Sequence, residues 1–162
     1  MLKHLQERVA LRAVAVASFS AAMCSSGVAA ADLDSRMKWL SAGANFGVSN
    51  QAGRTDWIAG GEVSVGAIKE LLWAGAYLDA VYDSGADSVR LSVGPEVGFL
   101  FLGVDGGFMV ETGERGSSYG VVVRPMIALI YVFPYARFGW RGGDDEERFS
   151  ELGVLLKYPF EE

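Results

Sequence analysis

The single histidine of this chain, His4, and its single cysteine, Cys24, both fall within the first thirty residues. Beyond residue 30 no serine has an imidazole to take its proton, so Ser–His acyl chemistry is excluded there. A thiol nucleophile and a His- or Cys-ligated zinc site are excluded with it. Carboxylate pairs remain, Asp105 with Glu111 for example, but they stand among arginines that suit them as ion-pair partners. The acids of "GGDDEER" lack a calcium-loop spacing and read as a solvated turn, although four clustered acids could meet divalent ions. "GPEVG" and "GVDGG" are rich in glycine, yet neither precedes a helix, so neither makes a phosphate cradle. No catalytic residue, cofactor or metal site is expected.

The charged residues do share one regularity. Glu62, Asp79, Arg90, Glu96, Asp105, Glu111, Arg124, Arg137, Glu151 and Lys157 each sit in a stretch where apolar residues occupy every second position. That period is a strand's, because successive side chains point to opposite faces. Eight strands are predicted, at 38–49, 57–67, 71–82, 88–101, 102–112, 118–131, 132–141 and 149–160. Turns are expected at "NQAGRTD", "IKE", "DSGAD", "GERGSS" and "GGDDEE"; none is marked between the fourth and fifth strands, near "FLFLGVDGG". Pro95 and Pro125 fall inside strands, where each removes a ladder donor, so bulges are expected there.

Split by face, the last seven strands each show one side free of charge. The fourth sets Val89, Leu91, Val93, Pro95, Val97, Phe99 and Phe101 against Ser88, Arg90, Ser92, Gly94, Glu96, Gly98 and Leu100. Glycines such as Gly43, Gly60, Gly94, Gly107 and Gly153 share the charged face. Small residues suit the crowded lumen of a narrow barrel and have little reason to gather on a solvated exterior. The charged face is therefore the inside, and the bulky apolar face points outward, which is tolerable only in lipid. A soluble barrel of lipocalin type would have the two faces exchanged.

The beginning of the chain agrees with export. "MLKHLQERVALRAVAVASFSAAMCSSGVAAAD" has a basic start, an apolar run over 13–23 and small residues before Ala31. It reads as a cleavable signal peptide over 1–30, too short in its apolar part to span a bilayer, followed by one domain over 31–162. A buried helix and a lipidated Cys24 are the other readings, the second weakened by Met23 before the cysteine. The first thirty residues hold three of the 14 Lys and Arg and one of the 20 Asp and Glu, so the remainder carries 11 against 19, a formal charge of −8. Nucleic acid is not expected as a partner of such a chain.

Outward Trp57, Tyr82, Tyr119 and Trp140 lie beside the connections at one end of the strands; Phe101, Tyr131, Tyr158 and Phe160 lie at the other. Two aromatic belts are what anchoring at two membrane interfaces predicts. With this pattern on nearly all of the chain after residue 30, the protein resembles the small outer-membrane β-barrels of the OmpA/OmpX type. The resemblance implies an all-β, eight-stranded antiparallel transmembrane barrel in the outer membrane of a Gram-negative cell. "ELGVLLKYPF" resembles the C-terminal signal of that class, read by the barrel-insertion machinery, with Glu161 and Glu162 beyond it. Expected partners are outer-membrane lipid and lipopolysaccharide together with that machinery, and the expected state is a monomer. Three functions stay open: a plugged barrel with a structural or envelope-integrity role, a narrow pore for ions or small solutes, and an envelope lipid-modifying enzyme. Lipid A deacylases are of similar size but use a Ser–His pair that this chain cannot supply after residue 30.

Overall fold

Alternation of side chains between two environments carries almost the whole chain into strands. A computed structural model describes residues 37–113, 116–142 and 148–160. The expected leader and the boundary after Ala30, residues 114–115 of "GERGSS", residues 143–147 of "GGDDEE", and Glu161 and Glu162 lie outside the described residues. The strands are β1 (Met37–Gln51), β2 (Arg54–Lys69), β3 (Leu72–Asp83), β4 (Ser88–Phe99), β5 (Leu102–Gly113), β6 (Gly116–Ile127), β7 (Val132–Gly142) and β8 (Arg148–Phe160). Each pairs antiparallel with its neighbours in sequence, and β8 returns to β1, from Leu40 opposite Phe160 to Gln51 opposite Phe149. The sheet closes with no free edge.

The connections differ at the two ends. At the end holding the start of β1 and the finish of β8 (the proximal end), the first two turns are two residues long, Glu70–Leu71 and Leu100–Phe101. The third connection, residues 128–131, narrows through a Leu129–Val132 bridge to a two-residue tip at Ile130 and Tyr131. The expected fourth and sixth strands therefore stop short, at Phe99 and Ile127, and Phe101 and Tyr131 are turn residues instead of strand ends. The sequence offers no glycine or asparagine there, and the first residue of each turn takes a positive φ: Glu70 at 58°, Leu100 at 55° and Ile130 at 60°. For a bulky or β-branched residue that backbone costs about 1–3 kcal/mol. At the distal end, Ala52 and Gly53 both have positive φ, the pattern of a type I′ hairpin, which matches strand twist.

The bulges expected at Pro95 and Pro125 are absent. Between β4 and β5 the pairing lapses after Val93–Phe108 and resumes at Glu96–Asp105 in the same register. Between β6 and β7 it lapses after Val123–Phe138 and resumes at Met126–Tyr135, again without a shift. Each proline points outward and keeps its register with the strand on its other side, Ala76 opposite Pro95 and Val104 opposite Pro125. A missing donor is accommodated by opening the ladder locally, with no extra residue inserted.

The distribution of side chains is inverted relative to a water-soluble protein. Val63, Val65, Leu78, Leu91, Val93, Val97, Val121, Val123, Leu152 and Leu156 are exposed, while most of the charged strand residues are buried. Inward glycines let neighbouring strands pack closely: a Cβ on Gly94 of β4 would strike the carbonyl of Gly106 on β5, and one on Gly107 the carbonyl of Val93.

Candidate functional site

The interior is built from strand phase. On β3 the odd-numbered residues Tyr77, Asp79, Val81 and Asp83 are buried, and on β6 the even-numbered Val122, Arg124 and Met126. All ten charged residues singled out from the sequence, Glu62, Asp79, Arg90, Glu96, Asp105, Glu111, Arg124, Arg137, Glu151 and Lys157, are buried inside the barrel. Two more charges join them, Asp83 and Arg141. Both share the phase of their strands, Asp83 that of Asp79 and Arg141 that of Arg137. They lie hard against turns, Asp83 one residue past the expected end of its strand.

The cations link these groups from end to end. Arg90 donates to Glu151, reaches Glu111 through Nε at 3.2 Å and lies 3.4 Å from Asp83. Arg141 stands 2.6 Å from Glu111 and donates to Gln51 at 3.1 Å. Arg137 pairs with Asp79 and lies 3.4 Å from Glu151. Arg124 meets Glu62 and Asp105, each at 2.5 Å, with Asp79 3.6 Å away. Lys157 closes the series on Glu62 at 2.7 Å and Glu96 at 2.8 Å. One connected network thus runs from the distal rim at Asp83 to Glu96 near the proximal end.

Register explains why Arg124 holds the densest part. Glu62 stands directly opposite Asp79, and Glu96 opposite Asp105. Like charges directly across a ladder repel. The guanidinium of Arg124 enters among Glu62, Asp79 and Asp105, and the ammonium of Lys157 lies between Glu62 and Glu96, so the first repulsive pair shares Arg124 and the second is divided between Arg124 on Asp105 and Lys157 on Glu96. The planar fork of arginine suits such multiple pairing. Arg90, Arg124 and Arg137 are 0% exposed.

Inward aromatic rings fill the space between the charges, and this layer was not read from the sequence. Arg90 lies 3.8 Å from the centroid of the Phe149 ring, and Arg124 lies 5.1 Å from that of Tyr77 and 5.4 Å from that of Tyr135. Each ring face offers a cation partial neutralisation without another carboxylate. Toward the proximal end Met126, Tyr135 and Leu155 pack with Trp73 and Phe133, and Trp39 meets Trp73 edge-on at 6.3 Å. Gly103 leaves the room for this: a Cβ there would stand 2.5 Å from Cζ2 of Trp73. The signal in the sequence was phase once more, since Trp39 and Trp73 alternate in step with the inward glycines Gly43 and Gly75.

The eight aromatics expected in two belts are exposed on the outside. Trp57 and Tyr82 pack with ring centroids 5.6 Å apart at the distal end, where Tyr119 and Trp140 also lie. At the proximal end Tyr131 stacks on Tyr158 at 6.0 Å, Tyr158 meets Phe160 at 5.6 Å, and Phe101 projects from its turn.

With interior and exterior described, the likenesses can be placed. No protein-family model and no curated protein sequence matches the chain. The crystal structure of Neisserial surface protein A matches with a TM-score of 0.52 at 15% sequence identity, over 76% of this chain and 97% of that one. The attachment invasion locus protein of Yersinia pestis, solved with the heparin analogue sucrose octasulfate, gives a TM-score of 0.37 at 10% identity, over 76% of this chain and 99% of that one. The likeness to the Neisserial protein is one of fold: this chain is a closed, eight-stranded antiparallel barrel built as the small outer-membrane barrels are.

Proposed function

We propose that the chain is exported, loses its leader near Ala30 and works in the outer membrane as a plugged barrel with a structural or envelope-integrity role. The observation that carries this reading is the connected charge network across the lumen, with Arg90, Arg124 and Arg137 removed from solvent. An eight-stranded barrel is just wide enough for side chains to fill it, and here ions and rings alternate along its length. The apolar exterior supports placement in lipid, with lipopolysaccharide around the distal half and entry through the barrel-insertion machinery. Neither self-association nor enzymatic chemistry is part of this reading.

Planar-bilayer recording tests it. The wild-type protein gives no steady, large single-channel current, whereas Arg124→Ala and Arg137→Ala admit water and ions and produce one. Stable wild-type current unchanged by both substitutions overturns the plugged barrel in favour of the narrow pore.

A further inference from the structure

The proximal turns present apolar side chains where a short hairpin in water would carry polar ones. The second and third turns read "FLFL" and "LIYV" over 99–102 and 129–132 and hold no charged residue; the first sets Leu71 beside Lys69 and Glu70. Leu71, Leu100, Phe101 and Tyr131 are exposed, and Ile130 is 83% exposed. Two of these residues, Leu100 and Ile130, also occupy positive-φ positions that glycine or asparagine would fill with less strain. A bulky apolar side chain projecting into water from strained backbone has nothing to offset its conformation. The same side chain in lipid has burial to offset it.

The dimensions of the barrel point the same way. On β3 the outward Leu72 stands ten residues from Tyr82 of the distal belt. At ~3.4 Å per residue and a strand tilt of 35–45°, that span is about 24–28 Å of height, against an apolar band of about 25 Å. No length of strand is left to form a polar stalk below the band. The turns are also held as one rim, because Leu71 O accepts from Leu100 N, Phe101 O from Ala128 N, and Tyr131 O from Lys157 N.

We propose that the three proximal turns are seated in the headgroup–acyl boundary of the periplasmic phospholipid leaflet, continuing the lipid-facing exterior beneath the barrel end. This rests on the outer-membrane reading above.

Labelling the full chain, made free of its other thiol by Cys24→Ser, separates the outcomes. An environment-sensitive fluorophore is placed singly at Ile130→Cys, at Val93→Cys on the mid-barrel exterior and at Ala52→Cys on the distal turn, in phosphatidylcholine–phosphatidylglycerol vesicles. Labels at 130 and 93 are expected to emit blue-shifted and to be quenched by doxyl lipid, with position 52 quenched by aqueous iodide. An iodide-accessible label at 130 with a lipid-quenched label at 93 overturns this proposal alone and leaves the turns free for a periplasmic protein. Iodide access at both positions overturns the membrane reading as well. The double substitution Leu100→Asn, Ile130→Asn supplies a test of opposite sign, since asparagine relieves the backbone but gives up the burial. In vesicles it is expected to lower the folded-to-unfolded ratio by about tenfold or more; an unchanged or raised ratio overturns the proposal.

Discussion

At the scale of the residue, Arg124 shows how much work one guanidinium does in a crowded lumen. It is surrounded by Glu62, Asp79 and Asp105, each of which faces another carboxylate directly across a ladder. Truncating it strands those carboxylates without their shared counter-charge. Arg124→Ala is therefore expected to destabilise the barrel by about 3–5 kcal/mol, and less to the extent that water follows the side chain in. Urea titration in lipid vesicles reads this, and a loss under 1 kcal/mol would mean that the carboxylates are already solvated. The interior position of Arg124 was legible because a strand has only two faces, and one charge fixes which face its neighbours share. The pairing of Arg124 with an acid of a neighbouring strand, Asp105 directly opposite it, was legible in the same way; its partners farther off were not. Its partner Glu62 lies on β2, across the lumen, at a distance set by barrel closure and not by anything local to either strand. The partners Asp83 and Arg141 escaped notice for a simpler reason, since alternation loses its force beside a turn.

At the scale of the element, the strands were legible where the turns announced themselves and blurred where they did not. "NQAGRTD" and "DSGAD" carry glycine and polar residues, and the neighbouring strand ends fall within three residues of their expected places. "FLFL" carries neither, so β4 was extended through Leu100 and Phe101. The bulge expected at Pro95 failed because a ladder can lose a rung without changing register. Glycines within the strands make a sharper prediction. Gly94 faces the carbonyl of Gly106, which belongs to a strand fixed on both sides, whereas Gly103 faces the edge of the Trp73 indole, a side chain that can shift. Gly94→Ala is expected to cost about 1–3 kcal/mol, and Gly103→Ala less. Equal losses in parallel urea titrations would show that Trp73 is as immovable as backbone. The last strand allows a test of a different kind. Phe160 ends β8, packs against Tyr158 and pairs with Leu40 at the seam of the barrel, so Phe160→Ala should reduce insertion more than removing Glu161 and Glu162. Folded protein recovered from membranes measures it, and equal recovery of Phe160→Ala and the wild type would remove the aromatic from the insertion step.

At the scale of the whole molecule, the fold is a barrel turned inside out, and its solvent follows from that inversion. Charges crowd the interior because the network there gives each a partner, while leucine, valine and aromatic side chains cover the outside. Such an exterior has no favourable contact with water over an area far larger than a soluble monomer exposes. The folded barrel should therefore require detergent or lipid, stay folded in cold gels and migrate differently after boiling. Val93 and Val123 lie near mid-strand on the outside, opposite Phe108 and Phe138 in the ladder. Arginine at either site has no lumen partner within reach and must be carried into hydrocarbon, at a cost of about 2–4 kcal/mol near the bilayer midplane. The same substitution would be almost silent if the exterior faced water, because surface changes away from special features usually fall within about 0.5 kcal/mol. Folding equilibria of Val93→Arg and Val123→Arg in vesicles thus decide between the two solvents. A detergent-free, monodisperse monomer that tolerates both arginines would mean that water, not lipid, surrounds this barrel.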